Sequence, residues 1–190
     1  MTSNTETKKL YIVLSQTGTV LSRLLKIFTH KEFNHSSISP FEDLHLLYSF
    51  GRLNAYNPFR GGFTTEGASF GTFKRFSETQ VQVIELEVTR EQYQNVCDTI
   101  DFMLNSDITY RYNIMGLLYA AFGKTYNSKN NYYCSEFVAM LLRKAEIPCA
   151  QSLGAIVHPV DFANMPEVKT VYRGKLREFS PDSSKVPQTA

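Results

Sequence analysis

The sequence has few cysteines and none of the short motifs that bind metals or nucleotides. Its three cysteines are odd in number and have no paired spacing, which argues against a disulfide framework and agrees with a reducing compartment. There is no CxxC, no HExxH and no close cluster of His with Asp or Glu, and Gly61-Gly62 lacks the surrounding pattern of a phosphate-binding loop. We therefore predict no metal ion and no other cofactor.

Long hydrophobic runs and a strong excess of charge are also missing. The longest strongly apolar segment, residues 114–122, is far shorter than the ~20 residues that span a bilayer. The N-terminus is polar and has no signal-peptide pattern, so we expect a cytoplasmic protein without a transmembrane segment. The formal net charge of +2 is too small to indicate a nucleic-acid partner.

What the sequence does contain is a normal globular composition, with 43% hydrophobic and 20% charged residues over 190 positions. This length fits one domain, and we predict that it covers residues 10–179 between disordered tails at residues 1–9 and 180–190. Apolar alternation and turn signals predict strands and helices in turn, with a long loop or lid between them. The predicted strands cover residues 10–15, 33–39, 44–51, 81–88 and 168–174. The predicted helices cover residues 20–28, 90–104 and 110–122, with a further helix after Cys134 and a short one that begins at Pro159. The predicted loop covers residues 54–71.

The helix that follows residue 133 carries a cysteine in its first turn. Asn130 or Asn131 can cap this helix, which would place Cys134 near unpaired backbone N–H groups that favour a thiolate. A lowered thiol pKa follows, and Cys134 is the candidate nucleophile. A second interpretation stays open, because Cys134 also continues the apolar stripe of the helix and could be a buried packing residue. That stripe consists of Phe137, Val138, Leu141, Leu142 and Ala145.

A cysteine nucleophile needs a base within hydrogen-bonding reach and a third group that orients the base. Four histidines are available. His35 lies near the start of a predicted strand among small polar residues, and it is the candidate general base. His45 lies on the less apolar face of the next strand, where exposure to solvent is the commoner explanation, while His30 and His158 fall in predicted loops.

Three segments resemble the circularly permuted NlpC-type papain-like cysteine hydrolases, a group that includes relatives of lecithin:retinol acyltransferase and of bacterial hydrolases suspected to act on lipids. The segments are Asn34-His35-Ser36-Ser37-Ile38, Leu47-Tyr48-Ser49-Phe50-Gly51-Arg52 and Tyr133-Cys134-Ser135-Glu136-Phe137-Val138. The resemblance implies an α+β fold in which a small antiparallel barrel or sheet packs against helices. It also implies that Cys134 is the nucleophile and His35 the base, in the permuted order.

The same resemblance places the orienting residue on the strand after the histidine, at residues 44–51. Ser49 and His45 are the polar candidates on one face of that strand, and neither is a clear match. Tyr133, Tyr48 and Arg60 are candidates for substrate binding, since Arg60 could meet a carboxylate or phosphate. The aromatic-rich residues 50–73 could wall an apolar cleft for an acyl chain, or could simply fill the core beneath a loop.

The predicted function is cleavage of an amide or ester bond in a peptide, amino-acid amide or acyl-lipid substrate, through an acyl-enzyme on Cys134. Acyl transfer shares this intermediate, so the residues do not distinguish it from hydrolysis. The alternative is a non-catalytic module of the same fold that binds a small ligand or a partner protein. We make no prediction of the oligomeric state.

Overall fold

The computed structural model of the chain describes residues 6–16, 32–52, 61–126 and 128–182. The strands are β1 (Thr7–Gln16), β2 (His35–Ser39), β3 (Leu47–Arg52), β4 (Gly61–Glu66), β5 (Gln80–Thr89), β6 (Arg111–Tyr112), β7 (Asn131–Tyr132) and β8 (Val168–Lys175). The α-helices among these residues are α1 (Gly71–Arg75), α2 (Arg90–Asn105), α3 (Ile114–Ala121) and α4 (Cys134–Lys144). Short 3₁₀ helices cover Pro148–Ser152, Pro159–Asn164 and Leu176–Glu178.

These strands form one open mixed sheet in the order β7-β6-β4-β3-β2-β1-β5-β8. Every neighbouring pair is antiparallel except β6 and β7, which run parallel. The long strand β1 lies inside the sheet, where it pairs with β5 along its whole length and with β2 over its second half. Because both faces of the sheet are covered there, β1 reads as a continuous apolar run rather than an alternating one.

Alternate residues of the strands belong to two separate hydrophobic clusters, one on each face of the sheet. On one face, Ile12, Ile38 and Phe50 pack with apolar residues of α2 and α4. On the other face, Val13 and Leu47 pack with residues of α1 and β8. Helix α4 is therefore fixed to the sheet through its buried side, directly over β2 and β3.

Several predicted elements are confirmed. Strands are present within or around residues 10–15, 33–39, 81–88 and 168–174, and the helix predicted for residues 90–104 is α2, capped by Thr89. The Thr89 side chain accepts a hydrogen bond from the Gln92 N–H, and the Gln92 side chain accepts one from the Thr89 N–H, so the two residues form a capping box. The α+β class is confirmed as well, and within the described ranges no helix is long and apolar enough to cross a membrane.

Other predictions are wrong. The sheet is open at β7 and β8, so the barrel form of the predicted fold does not occur. Part of the predicted loop at residues 54–71 is strand β4, whose Gly-rich start hides its extended pattern. Strand β3 begins at Leu47 rather than at Leu44, because Leu44 has a positive φ of 53° that ends any extended run.

The ends of two predicted segments also differ. The helix predicted for residues 110–122 begins only at Ile114, because Arg111 and Tyr112 form strand β6. Strand β1 begins at Thr7, inside the predicted disordered tail at residues 1–9. The predicted helix at residues 20–28 and most of the second tail lie outside the described residues.

Candidate active site

Cys134 is the first residue of helix α4, and its side chain is buried. The cap is Tyr133 rather than Asn130 or Asn131, because Asn131 and Tyr132 form β7. The Glu136 carboxylate closes the helix start by accepting a hydrogen bond from the Tyr133 N–H at 3.2 Å. Cys134 therefore lies at the N-terminus of the helix, where the partial positive charge of the peptide dipoles favours a thiolate.

His35 begins strand β2, and its imidazole meets a carboxylate that the sheet brings from β4. Its Nε2 lies 2.9 Å from Glu66 Oε2. The same oxygen accepts hydrogen bonds from Ser49 Oγ at 2.9 Å and from Ser37 Oγ at 3.3 Å. The His35 side chain is 14% exposed and that of Glu66 is 6% exposed, so this network is nearly closed to solvent.

Strand register explains why these four side chains converge. Residues two apart on a strand point to the same face, so His35 and Ser37 share a face of β2. Ile38 pairs with Tyr48 across β2 and β3, and Leu47 pairs with Glu66 across β3 and β4. These registers bring Ser49 and Glu66 to the same face as His35, with the carboxylate at the end of β4.

The network sets the charge states of its two ionisable groups in opposite directions. Burial works to lower the pKa of His35, but the Glu66 carboxylate and the Cys134 thiolate outweigh it and raise this pKa from 6.5 to about 10. Burial works to raise the pKa of Glu66, yet the imidazolium of His35 and the two serine hydroxyls hold it below its usual value of 4.5. A charged pair is thus favoured at neutral pH.

The Cys134 thiol lies against the start of β2. The His35 ring and the backbone N–H groups of Ser36 and Ser135 are its hydrogen-bonding partners, and the thiol lies 4.0 Å from the Asn34 carbonyl oxygen. Burial works to raise the pKa of Cys134, but the hydrogen bond and the charge of His35 bring it below its ordinary value of 9.0. The thiol therefore has the electrostatic setting of a nucleophile.

The other two cysteines provide an internal comparison. All three cysteines are free. Burial raises the pKa of both Cys97 and Cys149 above 9.0, so Cys134 differs from them in the direction of its pKa and not only in its position. Cys134 can lie on the apolar side of α4 and still contact His35, because the first turn of the helix reaches the sheet at β2.

Tyr112 is a further group at the thiol. Its hydroxyl is within hydrogen-bonding reach of the Cys134 side chain and of the Cys134 backbone. Burial and the charge of Cys134 raise the pKa of Tyr112 well above 10.0, while the backbone hydrogen bond opposes the rise, as an N–H that donates to the phenol oxygen does. Tyr112 therefore stays a neutral hydroxyl beside the backbone N–H of the nucleophile.

Two short strands hold Tyr112 in this place. It pairs with Tyr132 across β6 and β7, and the Asn113 N–H donates to the Tyr132 carbonyl at 2.9 Å. The Asn113 side chain donates to Glu136 Oε2 at 3.3 Å and accepts from the Gly116 N–H at 2.8 Å. Asn113 thus joins β6, the start of α3 and the start of α4.

The structure brings some of the predicted site residues together and separates others. The site contains Cys134, His35 and Ser49, and Tyr133 is the buried cap beside Cys134. His45 does not join them, since its side chain is 56% exposed and its Nδ1 lies 2.5 Å from Asp43 Oδ1. Tyr48 is buried in the core, where its ring stacks on Phe63, and Arg60 lies outside the described residues.

Sequence reasoning missed Glu66 and Tyr112. Glu66 was passed over because its segment reads as a glycine-rich loop, although it is the single acidic residue between residues 54 and 77. That isolation, directly after Phe63-Thr64-Thr65, is the signal that could have found it. Nothing in the sequence marks Tyr112, because its place depends on a two-residue strand.

A scan against protein-family models gives no match, and a search of the curated proteins finds no similar sequence. The described ranges also contain no group of three or more His, Cys, Asp or Glu side chains that could hold a metal ion. Any functional assignment therefore depends on the geometry of the site itself.

Proposed function

We propose that this chain is a cysteine hydrolase that cleaves an amide or ester bond through an acyl-enzyme on Cys134. The observation that carries the proposal is the continuous series of contacts from the Cys134 thiol to the His35 ring and on to the Glu66 carboxylate. These are the three roles of a nucleophile, a base and a group that orients the base. Glu66 takes the third role, which the resemblance had placed on residues 44–51.

The first half of the reaction uses the ion pair. The Cys134 thiolate attacks the substrate carbonyl carbon, and the carbonyl oxygen gains negative charge as the tetrahedral intermediate forms. Among the described residues, the Tyr112 hydroxyl and the adjacent Cys134 backbone N–H can both donate to that oxygen. The His35 imidazolium then gives its proton to the leaving amine or alcohol, the bond to that group breaks, and the thioester remains.

In the second half His35 acts as a base. Its neutral ring takes a proton from water, and the resulting hydroxide oxygen attacks the thioester carbonyl. The tetrahedral intermediate releases the carboxylic acid, and the thiolate and imidazolium re-form beside Glu66. An alcohol or amine in place of water would give acyl transfer by the same steps.

The order of the groups along the chain supports the permuted papain-like relationship. His35 precedes Cys134 by 134 − 35 = 99 residues, which is the reverse of the order in ordinary papain-like enzymes. The packing of the Cys134 helix against the sheet that carries His35 agrees with it too. The relationship remains part of this proposal, as do the peptide, amino-acid amide and acyl-lipid substrate classes.

The test is the release of chromophore from a panel of activated acyl esters and aminoacyl anilides, followed by trapping of the acyl-enzyme. The wild type should turn over at least one of these compounds, and denatured protein should carry the acyl mass on the peptide that contains Cys134. Cys134→Ala should abolish both signals, while Cys97→Ala should keep them. Turnover that survives in Cys134→Ala would sink the mechanism, and unmodified Cys134 throughout would favour the ligand-binding module.

A further inference from the structure

The outward face of helix α3 is apolar, which is the reverse of an ordinary surface helix. Gly116 and Ala120 are the buried residues of this helix, and its larger side chains point away from the protein, except for the half-buried Leu117. The outward side chains recur at spacings of one, three and four residues, which is one continuous side of a helix. The exposed fractions are Ile114 38%, Met115 48%, Leu118 50%, Tyr119 40% and Phe122 81%, and Tyr126 nearby is 43% exposed.

The segment that carries this face has basic side chains and no acidic ones. Residues 108–135 contain no Asp or Glu and three basic residues, Arg111, Lys124 and Lys129, all of them exposed. The next acidic residue, Glu136, is turned inward and accepts hydrogen bonds from Asn113 and from the Tyr133 N–H. Exposed positive charges thus accompany the apolar side chains on this segment.

The apolar side chains and the basic residues together indicate which kind of partner binds this surface. A second copy of the chain in a two-fold dimer would cover the apolar side chains, but the same segment of that copy would bring no acidic side chain to meet the basic ones. A bilayer with anionic headgroups offers apolar depth for the helix and negative charge for its border. Contiguous exposed apolar side chains rimmed by charged ones generally mark an interaction site.

We propose that the α3 face, defined as Ile114, Met115, Leu118, Tyr119, Phe122 and Tyr126, docks onto the surface of a bilayer that contains anionic phospholipid. A helix of eight residues is about 12 Å long, so it lies along the interface rather than crossing the membrane. Its apolar side chains enter the acyl boundary, and Lys124 and Lys129 reach the headgroups. Docking does not depend on the chemistry proposed for Cys134.

The experiment is flotation of the full chain with vesicles of phosphatidylcholine, with and without phosphatidylglycerol. The wild type should float with the anionic vesicles, and added salt should weaken this binding. The double variant Leu118→Ser and Phe122→Ser should lower the partition coefficient by roughly tenfold or more, since two buried apolar side chains are lost. Lys124→Glu with Lys129→Glu should lower it by roughly tenfold on anionic vesicles only.

A matched control is available on helix α2, where Phe102 is 58% and Leu104 47% exposed beside Asp101. Phe102→Ser with Leu104→Ser should float like the wild type, and so should Cys134→Ala, which separates docking from the proposed hydrolysis. Equal losses in the α2 and α3 double variants would overturn the proposal, as would wild-type protein that floats with neither vesicle. A dimer in solution that only the α3 double variant breaks would also overturn it and assign the face to a second copy.

Discussion

The substitution Glu66→Gln tests the electrostatic part of the site most directly. The amide has nearly the shape of the carboxylate and can still accept hydrogen bonds from His35, Ser37 and Ser49, but it carries no charge. The rise of the His35 pKa from 6.5 to about 10 corresponds to about 5 kcal/mol in favour of the imidazolium. Burial opposes that charge and Glu66 is the largest influence in its favour, so the variant should hold His35 neutral at neutral pH.

Without the imidazolium, burial raises the pKa of the Cys134 thiol and only the backbone N–H groups of Ser36 and Ser135 oppose the rise, so this pKa should return towards 9.0 or above. At neutral pH a thiol of that pKa is about 1% thiolate, which sets a loss of up to about 100-fold in the reactive form. The thiolate that remains is more nucleophilic, because nucleophilicity rises with pKa. We therefore expect iodoacetamide to alkylate Cys134 more slowly in the variant, by less than this 100-fold limit.

The assay is the pH dependence of alkylation at each cysteine, resolved by peptide mass spectrometry. In the wild type the rate at Cys134 should begin to rise well below pH 9.0, and in Glu66→Gln this inflection should move upward. Glu85→Gln is the matched control, since Glu85 is a buried carboxylate that pairs with Lys9 outside the site. Slow labelling of Cys149 would show that the variant is folded, and an unchanged inflection at Cys134 would refute the reasoning.

Four further predictions concern the surrounding residues. Tyr112→Phe should lower kcat by about 10²- to 10³-fold with little change in KM in steady-state ester hydrolysis, and an unchanged kcat would remove Tyr112 from the mechanism. Ser49→Ala takes a donor from buried Glu66 and should lower the free energy of unfolding in urea by about 1–3 kcal/mol; equal stability would contradict its role. His45→Ala should leave turnover unchanged and stability within about 0.5 kcal/mol, and a larger effect in either assay would count against its exposed placement. Because the pKa of His35 is raised in the folded protein, protonated His35 stabilises the fold fully below pH 6.5, and this stabilisation is lost as the pH rises through about 10. The free energies of unfolding of the wild type and of His35→Ala should therefore converge over that pH range. A difference that stays constant with pH would contradict this.

The sequence predicts best where one local pattern decides the structure. The apolar spacing after Cys134 is enough to place α4, and the Thr89 cap with the alternation before it places β5 and α2. His35 could be singled out because it lies near the start of a predicted strand among small polar residues, where the strand fixes the direction of its side chain. These elements need no knowledge of their neighbours.

The sequence predicts poorly where pairing between distant segments decides the structure. Residues 61–66 contain glycines and threonines that suit a loop equally well, and only the register with β3 makes them a strand that carries Glu66. In the same way, β6 exists because β4 and β7 border it, and without them its residues join the helical pattern of α3. Glu66 and Tyr112 are both on such strands, so the sequence predicted that Cys134 and His35 come together and missed the two side chains beside them.

The parallel pairing of β6 and β7 has a mechanical consequence. The two strands are joined by the crossover that contains α3, and Tyr112 is the last residue of β6 while Tyr132, which ends β7, leads through Tyr133 into Cys134. The phenol and the thiol are therefore attached to opposite ends of one connecting segment. Because β6 and β7 also pair with each other, the two ends of the segment are held side by side, and the spacing between the phenol and the thiol is set by that pairing.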